Sequence, residues 1–465
     1  MTGATTDLTW ATVRELGRRL RAGETTPTEL ARRCLERLDR VARPYNAVVT
    51  LTPERALREA RLAEAELAAG HDRGPLHGIP YGAKDLLATA NIPTSWGAAP
   101  YRDQVFPTDA AVIERLHGAG AVLVAKLAMI ELAGGMGYRT ADASFSGPAL
   151  NAWDREAFSG GSSSGSAVAV ALGAVPFAIG SETSGSIVAP AAYCGVSGLR
   201  PTYGRVSRRG AMALSWTMDK LGPICRTADD CGLVLAAIAG PDPEDPTASA
   251  RPYRYEPTRL EGTWRIGVVS GALDEAEPEV AASFERSLAL LRDLGQVDDV
   301  ALPEYPYVEV GRTILQAEGA SAFEELIASG RLTELQAPED RTGGYSAAAI
   351  SAVDYLRAQR IRGRICRDLD RLLERYDALV LPTSPNVAPS LDEVPRLAAR
   401  RRRRPIGSAV NVAGLPGISI PNGVGRLGRP TALELVGRAW SENRILGLAN
   451  ALQERTDWHA RHPDE

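Results

Sequence analysis

The chain keeps only three lysines, Lys84, Lys126 and Lys220; the remainder of its 53 basic residues are arginine. Arginine can replace lysine wherever a fixed positive charge suffices, because guanidinium stays protonated, with a pKa above ~12. A site that needs an amine able to release its proton cannot make that exchange. The surviving lysines are therefore candidates for proton chemistry, and Lys84 is the foremost. It closes the run Gly78-Ile-Pro-Tyr-Gly-Ala-Lys84-Asp85, which reads as a strand delivering a side chain to an edge. Placement alone would also fit a buried ion pair. For Lys126 and Lys220 the structural readings lead: a strand cap and the partner of a carboxylate, with Asp219 in a buried polar network.

Two serine clusters change the weight on Lys84. The first, Ser159-Gly-Gly-Ser162-Ser163-Ser164-Gly165-Ser166, leads straight into Ala167-Val-Ala-Val-Ala-Leu-Gly-Ala-Val. A flexible Gly/Ser linker would not precede a helix that is apolar on every face. A glycine-rich turn before such a helix holds backbone N–H groups and hydroxyls in place. The phosphate-loop rival fails, because G-x-x-x-x-G-K-[ST] is absent and no lysine is near. The second cluster, Gly180-Ser181-Glu182-Thr183-Ser184-Gly185-Ser186-Ile187, follows an apolar run ending at Ile179. Small residues let the backbone turn tightly, so that N–H groups converge beside a serine hydroxyl. An acyl-transfer nucleophile and its oxyanion hole need that geometry. The base would usually be histidine, yet none of the five, at 71, 77, 117, 459 and 462, sits in a recognisable triad context. A lysine kept neutral by burial is the alternative.

At this point the motifs carry a resemblance. Gly78-Ile-Pro-x-x-x-Lys84-Asp85, Ser159-Gly-Gly-Ser-Ser-x-Gly-Ser166 and Gly180-x-x-x-x-Gly-Ser186-Ile together resemble the amidase signature family. Lys126 after its strand, Gly198-Leu-Arg-Pro-Thr-x-Gly-Arg205-Val-Ser, Met218-Asp-Lys-Leu-Gly-Pro223, Leu381-Pro-Thr-Ser-Pro385, Gly414-Leu-Pro-Gly-Ile-Ser-Ile-Pro421 and Leu433-Glu-Leu-Val-Gly437 extend it from about residue 10 to 460. The resemblance implies a Ser–cisSer–Lys triad: Ser186 as nucleophile, Ser162 as bridging serine after a cis peptide bond, Lys84 as base. It implies an oxyanion hole from the backbone N–H groups of Thr183, Ser184, Gly185 and Ser186. Ala133 and Gly134 match a segment that lines the acyl site. The chain departs from the family at Glu182, often Asp; at Ser184, often Gly; and at Val188, often Arg. Losing that arginine is expected to change the field near the nucleophile, and Ser184 to restrict the backbone.

The surrounding elements follow from pattern. Thr26-Pro27-Thr28-Glu29 offers an N-cap, a proline at N1 and a glutamate at N3 for a helix reaching Val41. Thr52-Pro53-Glu54 opens another that stops at Gly70. From Gly74 onward, short apolar runs alternate with helical stretches, the texture of a sheet covered by helices. Gly78–Lys84, Ala121–Lys126, Trp264–Val269, Asp377–Leu381, Gly417–Pro421 and Thr431–Gly437 read as strands. Helices are expected over 108–117, 277–294 and 346–376, with a last one ending near Arg455, and Gly240–Gly262 as a long surface connection. The expected fold is α/β: a large mixed β-sheet covered on both faces, with N-terminal helices, as in the family. Residues 1–70 form the helical segment packed on the core and 71–465 the catalytic domain, the whole making one structural domain.

Composition bounds the partners. At 465 residues, 44% hydrophobic and 24% charged, the chain reads as an ordinary globular protein. A net charge of −4 and pI near 5.9 argue against nucleic acid as a direct partner. The basic run Arg400–Arg404 reads as a solvated loop. Five scattered cysteines without C-x-x-C or zinc spacing point to a reducing compartment and to neither metal nor cofactor. The polar Met1–Trp10 and the lack of a spanning apolar run point to no membrane and a cytoplasmic location. The expected partner is a small-molecule amide, and a homodimer is the assembly left open.

The leading expectation is a free-standing amidase cleaving a small carboxamide, or one with an aryl or alkyl side chain. The runner-up is the glutaminase subunit of a tRNA-dependent amidotransferase, although Trp216 fits the free amidases better. A carbamate or urea-type (allophanate-like) hydrolase, an amide synthase and an inactive scaffold relative are the further alternatives. The last should have lost a triad residue, and all three are present.

Overall fold

A computed structural model describes residues 8–259, 263–394 and 405–464. The basic run Arg400–Arg404, Met1–Asp7 of the N-terminal stretch and the end of the Gly240–Gly262 connection lie outside the described residues.

One sheet organises the chain. Its strands are β1 (Val48–Leu51), β2 (Pro80–Lys84), β3 (Val122–Leu127), β4 (Phe177–Glu182), β5 (Ser197–Arg200), β6 (Lys220–Cys225), β7 (Trp264–Val269), β8 (Gly295–Val300), β9 (Ala378–Pro382), β10 (Gly417–Val424) and β11 (Pro430–Val436). They lie in the order β1-β3-β2-β4-β6-β5-β10-β11-β9-β7-β8. The sheet is mixed: β2 runs parallel to β3 and β4, whereas β4 and β6 are antiparallel.

Both faces are covered, which the period-2 alternation of a strand requires when every residue is apolar. On β3, Leu123 packs in one core cluster while Val122 and Val124 pack in another. On β4, Phe177 and Ile179 go one way and Ala178 the other. The second cluster includes residues of α2 (Pro27–Arg37), α3 (Pro53–Ala68), α5 (Ser164–Ala171) and α6 (Val188–Cys194). The first includes residues of α1 (Val13–Arg21), α4 (Ala111–Gly118), α7 (Ala228–Ile238), α8 (Pro278–Leu294) and the last helix, α14 (Glu442–Gln453). A third cluster gathers α9 (Tyr307–Ala322), α12 (Ala352–Leu373) and α13 (Pro405–Val412) around Leu379 and Leu381 of β9. Between α9 and α12 lie α10 (Glu324–Ala328) and α11 (Asp340–Ala348).

Local signals place the elements closely. The Thr26 hydroxyl accepts the Glu29 N–H at 3.2 Å, with Pro27 at the helix start. The first seventy residues are not helical throughout, however. Val48–Leu51 pairs antiparallel with β3 and makes one edge of the sheet. The long helix expected from 346 is two helices, α11 ending at Ala348 and α12 beginning at Ala352 after the cap Ser351. Strand β8 and helix α9 are not evident from pattern. β8 is Gly-Gln-Val-Asp-Asp-Val at the opposite edge, where only Val300 is buried, so no apolar run marks it.

Candidate active site

Two parallel strands, β2 and β4, end side by side at Lys84 and Glu182, and β6 begins there, with Lys220 opposite Glu182. Ligands in open α/β sheets gather at such carboxyl ends. The N-terminus of α5 rises beside them. Its first residues are fully buried, and it packs so closely that a Cβ on Gly165 would lie 2.4 Å from the Ala47 carbonyl and 2.5 Å from the Ala128 N. Glycine is required there to bring the first serine cluster against the sheet.

Lys84 is fully buried. Its Nζ lies 2.7 Å from Ser162 Oγ, 3.0 Å from Ser163 Oγ and 2.9 Å from Ser181 Oγ. No carboxylate touches it among the described residues. Burial brings its pKa down to about 7, with Asp219 and Glu182 opposing through space. The peptide bond Gly161–Ser162 is cis. Ser186 comes to the same place through the backbone: the Ser163 N–H donates to the Ser186 carbonyl at 3.2 Å.

The second cluster forms a clasp. The carboxylate of Glu182 accepts the N–H groups of Ile187 at 2.9 Å and Val188 at 3.1 Å, so one residue pins both ends of the 183–186 turn. Burial alone would raise the Glu182 pKa; Arg200 and Lys220 outweigh it and bring it to about 2. Arg200 reaches Glu182 at 2.8 Å and Glu434 at 3.0 Å, all three buried. Val188 carries no charge, and the positive charge beside Glu182 is that of Arg200. The restriction expected at Ser184 is not met, since its φ is not positive; the left-handed residue of the turn is Gly185, with φ 91°. Among the described residues, the N–H groups of Ser184, Gly185 and Ser186 donate to no protein acceptor. They are left for a ligand or solvent.

Thr183, Ser184, Gly185, Ser186, Arg200 and Glu434 line a cavity of about 290 Å³ with Ala133, Gly134, Tyr138, Gly161, Leu214, Leu381 and Asn411. Nothing in the sequence singles out Tyr138, Asn411, Arg200 or Glu434 as lining it. Ser163 and Ser181 stand out there as cluster members, not as contacts of Lys84.

The other lysines differ. Lys126 Nζ pairs with Asp85 at 3.0 Å and donates to Thr94 Oγ1 at 2.7 Å, all buried. Lys220 does not pair with a carboxylate as expected. Its Nζ donates to the Met218 carbonyl (2.5 Å), Asn411 Oδ1 (3.0 Å) and the Thr183 carbonyl (3.5 Å). Burial lowers it to about 7 against the pull of Glu182. Asp219 accepts from Thr183 Oγ1 (2.6 Å) and from the N–H groups of Leu214 and Ser215 (both 2.8 Å), the buried network expected of it.

Comparisons with known proteins give the chain its family. Residues 29–446 match the model of the Amidase family. The chain is 38% identical to a glutamyl-tRNA(Gln) amidotransferase subunit of Moorella thermoacetica, over 98% of this chain and 99% of that protein. It superposes on the native peptide amidase from Stenotrophomonas maltophilia with a TM-score of 0.85 at 33% identity, covering 98% of each chain. It also superposes on a glutamyl-tRNA(Gln) amidotransferase subunit from Thermotoga maritima with a TM-score of 0.80 at 28% identity, covering 97% of this chain and 96% of that one. A lysine among serine hydroxyls, a turn with free N–H groups and a family match across most of the sequence lead to one conclusion: the chain belongs to the amidase family and is an amide-hydrolysing enzyme.

Proposed function

We propose that Ser186 is the nucleophile, Ser162 the bridging proton carrier and Lys84 the base. Hydrogen-bond bookkeeping around Lys84 carries the reading. Ser163 Oγ donates its proton to the Ser181 carbonyl at 3.1 Å, so toward Lys84 it can only accept. A neutral amine has two protons to give and one lone pair. Where Ser181 takes the second proton, the lone pair faces Ser162, 2.7 Å away. Lys84 then draws the Ser162 proton, Ser162 draws that of Ser186, and Ser186 attacks the carbonyl. The free N–H groups of Ser184, Gly185 and Ser186, with Thr183, receive the oxyanion. Ser162 returns its proton to the leaving nitrogen, and water releases the acid from the acyl-enzyme.

The substrate we infer is a small neutral carboxamide, taken up by a free-standing enzyme. Ala133 and Gly134 bound its acyl part. Of the described residues lining the cavity, the charged ones are Arg200 and Glu434, which pair with each other. A zwitterionic amide such as glutamine would ask for charges that are not so engaged. The glutaminase-subunit reading keeps its place through the relatives of that name. No nucleic acid or membrane enters this reading. No helix of the described residues is long and apolar enough to cross a membrane, and the five cysteines are free, in keeping with a proposed cytoplasmic location. We further propose that residues 1–70 pack on the 71–465 catalytic part as one domain, through β1, and that any self-assembly is a homodimer, which solution mass would test.

The experiment is release of ammonia or amine from a panel of amides, glutamine included, by the purified protein beside Ser186→Ala. Release from neutral amides that disappears in the variant is expected. Release from glutamine alone, or only with partner proteins present, would favour the glutaminase reading. Transfer to an added amine in preference to water would favour a synthase.

A further inference from the structure

Residues 131–138 supply Ala133, Gly134 and Tyr138 to the cavity. Leu132, Ala133 and Gly134 in succession take φ of 49°, 55° and 84°. Two consecutive non-glycine residues in the left-handed region persist only where their surroundings hold them. Glu131 is the holding point. It is fully buried, its N–H donates to the Ala143 carbonyl at 2.8 Å, and its carboxylate accepts the N–H groups of Gln336 (2.9 Å) and Ala337 (2.8 Å).

Against Glu131 sits a second fully buried carboxyl, Asp340, the first residue of α11. The Tyr138 N–H is directed at Asp340, yet among the described residues neither Asp340 oxygen has a donor at full hydrogen-bond geometry. Two buried carboxyl groups meet in this way only when one carries a proton. Glu131 already receives an N–H on each oxygen, so it is the anion and Asp340 holds the proton.

We propose that Asp340 is a positioning residue for the acyl pocket, its carboxyl proton bridging to Glu131 and strapping the strained 131–138 segment to residues 336–340. The inference rests on Ala133–Tyr138 bounding the substrate. Burial first, then Glu131, then Glu339, hold the Asp340 pKa well above the carboxylate range, and the Tyr138 N–H opposes them. Arg341 turns its guanidinium to the Leu335 and Gln336 carbonyls instead. The bridge therefore survives at neutral pH and is lost on the alkaline side, where two anions would face each other and the segment would relax. KM should then rise about tenfold, the equivalent of ~1.4 kcal/mol. kcat should stay level once Lys84, whose pKa lies at about 7, has lost its proton.

The test is KM and kcat against pH, from neutral into the alkaline range, for the wild type, Asp340→Asn and Ala133→Val. Asparagine donates to Glu131 at every pH, so Asp340→Asn should keep the neutral KM and lose the alkaline rise. A wild-type KM flat with pH would overturn the proposal without recourse to any variant. So would an alkaline rise that Asp340→Asn leaves unchanged. Ala133→Val should raise KM at all pH values; if it did not, the pocket reading itself would fail, and the strap with it.

Discussion

Lys84 and Lys126 lie on neighbouring strands, are buried to the same degree and belong to one hydrogen-bonded sheet, with Lys126 opposite Ala83. Their surroundings differ chiefly in charge. Lys126 has a carboxylate at 3.0 Å; Lys84 has three hydroxyls at 2.7 to 3.0 Å. Burial lowers both, but at Lys126 Asp85 opposes it with charge and hydrogen bond together, whereas the charges opposing it at Lys84 act only through space. A buried lysine beside a carboxylate is an ion and holds structure. A buried lysine among hydroxyls is an amine and can take a proton.

The comparison breaks most sharply at its two ends. Lys84→Met should lower kcat by about 10²–10⁴-fold, the range of a lost general base, while the melting temperature holds or rises, since no counter-ion is stranded. Lys126→Met should do the reverse. It leaves Asp85 buried without its partner, at a cost of about 3–5 kcal/mol, with activity per folded molecule retained. Thermal denaturation and active-site titration on the same preparations would separate the two effects. If both variants lost stability alike, the distinction would collapse.

A smaller effect sharpens it. Ser163→Ala removes an acceptor that holds Lys84 but no group on the proton path, so kcat should fall about tenfold, less than for Lys84→Met or Ser162→Ala. Lys220→Met is smaller again. Lys220 touches the cavity only through the Thr183 carbonyl and Asn411, so its loss should shift KM by a few-fold and leave the acid limb of the pH profile in place. Because Lys220 also titrates near 7, an acid limb that vanished in this variant would assign the limb to the wrong lysine.

How much of this is legible in the sequence follows from where the information sits. Lys84, Ser162 and Ser186 stand at fixed places in glycine-flanked motifs, and the alternation of apolar runs and helices predicts a helix-covered sheet. Ser163 and Ser181 carry no separate signal, because within a Gly/Ser cluster one hydroxyl reads like the next. At Lys220 adjacency misleads. Asp219 precedes it in sequence, yet successive residues entering a strand point to opposite sides. Asp219 turns to Leu214, Ser215 and Thr183, and Lys220 to Asn411. Arg200 takes up the charge beside Glu182 from a different strand, and Glu131 meets Asp340 from a distant part of the chain. Long-range pairs of this kind leave no local pattern.

The most direct test of the central claim is kcat/KM against pH, from ~5 to ~9, for the wild type and Lys84→Met. The folded-state pKa of Lys84 lies below the ordinary lysine value, so the active neutral amine gains population as pH rises. The account predicts a wild-type rate that climbs through about pH 7, ahead of any alkaline loss through KM, and a residual Lys84→Met rate without that limb. A limb that persists unchanged in Lys84→Met would contradict it.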